Sequence, residues 1–289
     1  MKVFHIEAFT NTPNLGNPAG VVLSADNLQE DEMLNIAKRV GFNETVFVHQ
    51  STVANFKLKY FTPGHEINLC GHATMAAMHC LKSNGLINEN PISIETNVGI
   101  LPIFFEGSSQ ELIRMQQGNP EFMPFTGSIE RLMNAIGLSI HDLDSRYPVI
   151  YGSTGTWTVL IPIKKLESFN RMVPNNKEFP NILLENSRAS IHPFCLETKY
   201  PDSLMHARHF SSPYSGTVED PVTGTASGVM GAYYLNYIMS GTDSVKFTVE
   251  QGQEINRDGR VFVEANRIDQ ELMEIYISGN AVFVKEIEI

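Results

Sequence analysis

Apolar and polar residues alternate with a period of two over much of the chain, which predicts a protein made mainly of short strands. Asn55–Phe61 is the clearest stretch. Phe56, Leu58 and Tyr60 share one face, and Asn55, Lys57 and Lys59 share the other. Comparable runs occur at Lys2–Phe9, Val21–Leu23, Val46–His49, Ile92–Glu95, Ile100–Phe105, Leu112–Gln116, Trp157–Ile161, Val245–Glu250, Val261–Glu264, Leu272–Ile277 and Ala281–Val284, with Gly, Pro and Asn between them. Three segments break this pattern. Residues 28–40 start acidic and end in Lys38-Arg39 before Gly41, the charge order that suits a helix dipole. Residues 72–84 and 225–239 are apolar nearly all round, which predicts helices buried on every side.

Two buried helices far apart in sequence prompt a search for a repeat. Phe61-Thr62-Pro63 followed by Cys70-Gly71-His72-Ala73-Thr74 has a counterpart in Phe210-Ser211-Ser212-Pro213 followed by Thr223-Gly224-Thr225-Ala226-Ser227. Setting Gly71 over Gly224 also aligns Ala73 with Ala226 and Thr74 with Ser227. The likeness is short and chance also produces such matches, but with the two helices it favours two similar halves facing each other. A Gly/Pro-rich stretch at 118–127 marks the boundary. The halves are then residues 1–118, with a strand at 277–289 returning to them, and residues 119–276, with the active site expected in the cleft between.

Composition narrows the function. The chain has 289 residues, 42% of them hydrophobic and 18% charged, enough for a sizeable core and a length suited to two domains. The net charge of −11 and the lack of any long Lys/Arg run argue against nucleic acid and against an anionic membrane surface. No apolar run approaches a membrane span, the first ten residues read as a strand, and three cysteines fit a reducing compartment. These features predict a cytoplasmic protein.

An acidic protein binds a small anion only where the site is made positive locally. Two helix N-termini entered through Gly71 and Gly224 offer unpaired N–H groups and partial positive charge. The same glycines equally serve tight packing. The polar residues around them tip the balance: Cys70 and His72 flank Gly71, and Glu219-Asp220 precede Pro221-Val222-Thr223-Gly224. Glu44, after a helix and at the mouth of a strand, sits among apolar neighbours. Partial desolvation there suits a carboxylate that takes and returns a proton near neutral pH. No phosphate-binding loop, dinucleotide fingerprint, zinc-protease or nucleophile-elbow motif is present. Cys70, His72, His79 and Cys80 do not place four ligands on one helix face, so no metal is expected. Packing explains His206 and His209, on either side of Arg208 on an expected strand, and also Tyr233, Tyr234 and Tyr237.

At these residues the sequence resembles a known family. Gly16-Asn17-Pro18-Ala19, Asn43-Glu44-Thr45, Phe61-Thr62-Pro63, Leu69-Cys70-Gly71-His72-Ala73-Thr74, Ala207-Arg208 with Phe210, and Glu219-Asp220-Pro221-Val222-Thr223-Gly224-Thr225-Ala226 stand in the order found in the phenazine-biosynthesis PhzF-like family. The resemblance implies an α/β (α+β) fold of the diaminopimelate epimerase type: two pseudo-symmetric domains, each a curved, mostly antiparallel sheet around a central helix. It implies a cofactor-independent isomerase, usually a homodimer, that moves a proton within a small carboxylate-bearing substrate. By resemblance Glu44 is the acid/base, and His72 and Asp220 orient or share protons. Gly71, Ala73, Gly224, Thr225 and Cys70 are then the substrate-binding positions.

Two departures bear on this reading. Thr225 stands where the namesake has Ser, which narrows the pocket by a methyl group. Cys70 is uncommon in the namesake type, and in related racemases paired cysteines act as the two bases. The position matching Cys70 in the repeat is Thr223, so a two-thiol racemase is disfavoured. A racemase or epimerase using Cys70 with another partner, and a non-catalytic binding protein on the same fold, stay as alternatives.

Overall fold

The computed structural model describes residues 1–108 and 111–289, and the chain divides into two compact units. The first comprises Met1–Gln116 and Ser278–Ile289, the second Gln117–Ile277.

In the first unit, β1 (Lys2–Ala8) and β2 (Asn17–Val22) form an antiparallel pair. A crossover through α1 (Glu30–Val40) leads to β3 (Glu44–His49), parallel to β2, and β3 pairs antiparallel with β4 (Phe56–Phe61). The short β5 (Glu66–Ile67) folds back on β4. A second crossover through α2 (Gly71–Ser83) leads to β6 (Ile92–Thr96), parallel to β4, and β7 (Gly99–Glu106) and β8 (Leu112–Gln116) follow antiparallel. The last strand of the chain, Ala281–Glu288, returns to the free side of β1. Helix α1 has the expected ends. Glu30, Asp31 and Glu32 occupy its first turn, Glu32 completes a capping box with Gln29, and Gly41 closes it at φ 74°. Helix α2 buries nine of its residues and touches β1, β2, β3, β8 and the last strand, so the sheet curves around it.

The second unit repeats this order. β9 (Glu121–Pro124) precedes the short helix α3 (Ile129–Ala135) and pairs with β10 (Ile150–Ser153). β10 and β11 (Trp157–Pro162) are antiparallel, β11 and β12 (Ser190–Cys195) parallel, and β12 and β13 (Met205–Ala207) antiparallel. A crossover through α4 (Gly224–Tyr233) then gives β14 (Ser244–Gln251), parallel to β13, and β15 (Gly259–Arg267), antiparallel to β14. Strand β16 (Met273–Gly279) leads out of the unit. Both units therefore read hairpin, crossover, hairpin, crossover through a buried helix, hairpin. The α/β class with curved, mostly antiparallel sheets is the one expected.

Helix α4 fits its sheet because it is made of small residues. A Cβ on Gly231 would meet Val263 Cγ1 at 2.8 Å and the Ala265 Cβ at 3.0 Å. The expected helix at 225–239 is shorter as an α-helix: it ends at Tyr233 and continues as one wider π-type turn over Tyr234–Ile238. No helix among the described residues is long and apolar enough to cross a membrane.

Candidate active site

The two buried helices begin alike. Cys70 and Thr223 are their N-cap residues, and Gly71 and Gly224 their first helical residues. In α2 the Thr74 hydroxyl donates to Cys70 O at 2.7 Å; in α4 the Ser227 hydroxyl donates to Thr223 O at 2.8 Å. Neither N-cap side chain makes a well-aligned capping hydrogen bond to its own helix, although the Ala73 N–H interacts with the Cys70 sulfur.

In the first unit, three elements bring side chains to the start of α2. β2 and β3 are parallel and in register at Ala19 and Glu44, so both begin at the same end of the sheet. β2 begins with Asn17 and β3 with Glu44. His72, the second residue of α2, lies between them. Its Nε2 is 3.0 Å from Glu44 Oε2, its Nδ1 is 3.2 Å from the Asn17 amide, and the same Nδ1 is 3.3 Å from Cys70 Sγ. The Nε2–Oε2 approach is short but poorly aligned, so this buried oxygen has no well-directed donor.

His72 is buried and Glu44 half-buried. Burial opposes charge on the His72 ring, but Cys70 and Glu44 outweigh it and hold its pKa well above the ordinary imidazole value. Burial pushes the Cys70 thiol up, against the pull of His72. The ligand atoms of Glu44, Cys70 and His72 lie within 4.8 Å of one another, the one such group among the described residues, and His79 and Cys80 do not join it. A carboxylate, imidazole and thiol so placed are the donor types that zinc takes. Each is also equipped to pass a proton.

In the second unit, Asp220 is half-buried and accepts from the Thr223 hydroxyl at 2.5 Å. Gln251 braces the turn: its side-chain nitrogen donates to Asp220 O at 2.8 Å, and its oxygen accepts from Thr223 N at 3.2 Å. Thr225 is half-buried, and its carbonyl accepts from the Thr154 hydroxyl at 3.1 Å. Ala73 is fully buried on α2. Each unit thus gathers its own share of the expected residues around its own helix start. Asn17, in the Gly16-Asn17-Pro18-Ala19 segment, joins His72 beside the start of α2; its signal in the sequence is a polar amide opening an otherwise apolar strand.

Comparison with known proteins bears on the family and the fold. The family model for phenazine biosynthesis-like proteins matches residues 6–287. An uncharacterized isomerase of Bacillus subtilis, YfhB, is 49% identical over 98% of this chain and 96% of its own length. The crystal structure of a PhzF-family phenazine biosynthesis protein from Bacillus anthracis superposes with a TM-score of 0.97 at 53% identity, covering 100% of this chain and 98% of the other. A probable proline racemase from Agrobacterium radiobacter shares the fold alone, with a TM-score of 0.61 at 9% identity over 92% of its length. The fold is therefore of the diaminopimelate epimerase type, and the chain is an isomerase belonging to the phenazine biosynthesis-like, PhzF-type family.

Proposed function

We propose that the protein moves a proton between two carbons of a small, conjugated carboxylate, without a cofactor, using Glu44 as the acid/base. The observation that carries this is the Glu44–His72 pair at the start of α2: a carboxylate oxygen with no aligned donor, 3.0 Å from a buried ring held in its charged form. A C–H beside a conjugated carboxylate is weakly acidic. Glu44 takes that proton, and the electron pair spreads into the carboxylate. The N–H groups at the start of α2 stabilise the charge as it builds. The His72 imidazolium adds to that stabilisation, and Glu44 returns the proton to the second carbon. The working form is a homodimer.

The test is isotopic. Small conjugated and hydroxylated carboxylates are incubated with the protein in D₂O, and carbon-bound deuterium is read by NMR. Exchange on one of them is expected, falling about 10²–10⁴-fold in Glu44→Gln. Full exchange in that variant would refute the role of Glu44. A second reading, in which Cys70 is the base, rests on its 3.3 Å contact with His72. It requires the thiolate, which burial disfavours. Cys70→Ala separates the two: under the Glu44 reading it still exchanges deuterium.

A further inference from the structure

Three donor atoms of different chemistry meet at the start of α2 because a strand and a helix both begin there. Cys70 is the N-cap of α2, with an extended backbone at φ −141° and ψ 121°, and His72 is the second helical residue. The pair straddles the turn into the helix, and Cys70 Sγ comes within 3.9 Å of His72 Nε2. Glu44 opens β3 and brings its Oε2 to 3.0 Å from the same nitrogen. His72 Nε2 is thus the common vertex of a triangle, and the ligand atoms of the three residues lie within 4.8 Å of one another. Spacing along α2 alone does not reveal this group, since its third member comes from a strand.

The triangle is close to the size that a tetrahedral zinc ion requires. Metal bonds of about 2.3 Å to sulfur and about 2.0–2.2 Å to nitrogen and oxygen put neighbouring ligand atoms about 3.4–3.6 Å apart. Both edges at Nε2 are within about half an ångström of that, so small side-chain rotations close the shell. The chemistry agrees. Thiolate and imidazole favour zinc over magnesium and calcium, which take oxygen ligands. Thiolate and carboxylate together carry two negative charges, which match the two on the ion. His72 Nδ1 has its own neighbour, the Asn17 side-chain amide at 3.2 Å, so the ring is held at the nitrogen that the ion does not use. The buried Glu44 Oε2 loses no well-aligned hydrogen bond on binding an ion.

We propose that Glu44, Cys70 and His72 form a three-ligand site for a divalent cation of the zinc type, and that an ion bound there switches the isomerase off. Each ligand atom gives one lone pair to the ion. The Cys70 S–H bond breaks and its proton leaves to solvent, as does any proton on His72 Nε2; nothing is oxidised or reduced. A coordinating thiol is deprotonated outright, so the site does not depend on a thiolate being present beforehand. The fourth position stays open to water. Inhibition follows because the oxygen that takes the substrate's proton is then tied to the metal. That consequence rests on the role given to Glu44 above, whereas binding itself does not.

Cobalt(II) titrated into the chelator-treated protein tests the site with no substrate. A single equivalent is expected to bind, with a thiolate-to-cobalt charge-transfer band in the near ultraviolet and tetrahedral bands in the visible, and zinc(II) should displace it. The absence of a charge-transfer band overturns the proposal. Cys70→Ala should lose that band; a band that survives comes from Cys80 or Cys195 and overturns the proposal as well. Glu44→Gln keeps the thiolate and should keep the band, but should bind zinc(II) more weakly by at least about tenfold, since even outer-sphere partners carry that much. Equal affinity removes Glu44 from the site and overturns the proposal, and this variant decides the matter where Cys70→Ala does not fold. With a carboxylate found in the D₂O screen, bound zinc(II) should stop deuterium exchange and a chelator should restore it. Exchange left unchanged or raised by bound zinc(II) overturns the inhibitory role. The cobalt titration stands whatever becomes of the Glu44 reading, and Glu44→Gln in zinc-free D₂O tests that reading by itself.

Discussion

Replacing His206 by Leu should destabilise the second unit in a pH-dependent way. His206 is 1% exposed and stands between two carboxylates, with Nδ1 at 2.7 Å from Glu250 and Nε2 at 2.8 Å from Glu254. Leucine fills the space but leaves both carboxylates without their cation. Breaking a buried pair from one side costs about 3–5 kcal/mol. Glu250 keeps two backbone donors, from Lys199 at 2.6 Å and Tyr200 at 3.0 Å, which puts the loss near the lower end of that range. About 3 kcal/mol corresponds to a fall in Tm of roughly 6–12 °C for a unit of this size. The pH course follows from the shifts. Burial opposes charge on His206, but Glu250 and Glu254 outweigh it and raise its folded pKa above the unfolded 6.5. Its contribution is thus full below about 6.5 and is lost as pH rises through the folded value. Burial opposes charge on the two glutamates as well, yet their bonds to His206 lower them below 4.5. Their contribution is present above about 4.5 and is lost as pH falls through the folded value. The stability gap between the protein and His206→Leu should therefore peak between about pH 4.5 and 6.5 and narrow on both sides. Urea unfolding across this range measures it. A gap below about 1 kcal/mol, or one flat with pH, would refute the reasoning.

Three further outcomes are expected. Gly231→Val drives a branched side chain into Val263 and Ala265 and should cost about 1–3 kcal/mol, seen as a lower urea midpoint with α4 content retained at low denaturant. Glu44→Gln removes one of the groups that raise His72, so an NMR titration of that ring should show its midpoint moving down; an unmoved midpoint would refute that contribution. Cys70→Ala should leave deuterium exchange within about threefold of the unaltered protein, and its abolition would transfer the base role to the thiol.

The parts of the fold that sequence made legible are those where one face is wet. Phe56–Phe61 alternates because Lys57 and Lys59 reach solvent-side partners, Glu95 and Glu30. Helix α1 announces itself through charge order because it lies on the surface. Strand β12, Ser190–Cys195, was not visible: all six residues are buried, so no alternation marks it. Strand β2 was expected at Val21–Leu23 but starts at Asn17, where Pro18, Ala19 and Gly20 have little strand preference and pair only because β1 and β3 flank them. Helix α3, at seven residues, is too short to show a period. Among the site residues, Glu44 and His72 could be named from local context, but their 3.0 Å approach depends on the β2–β3 register and on where α2 begins.

The strand at Ala281–Glu288 sets a timetable for synthesis. It is the outer neighbour of β1, yet it is made after the whole of the second unit, Gln117–Ile277. At roughly 5–20 residues per second, a ribosome takes on the order of 10–30 s to cross that stretch. During this interval β1 has a partner on one side only, and its other edge offers unpaired backbone groups to any passing strand. The first unit is begun first and closed last, so its growing chain is exposed to misassociation for longer than that of the second unit, whose sheet is supplied by one continuous run of chain.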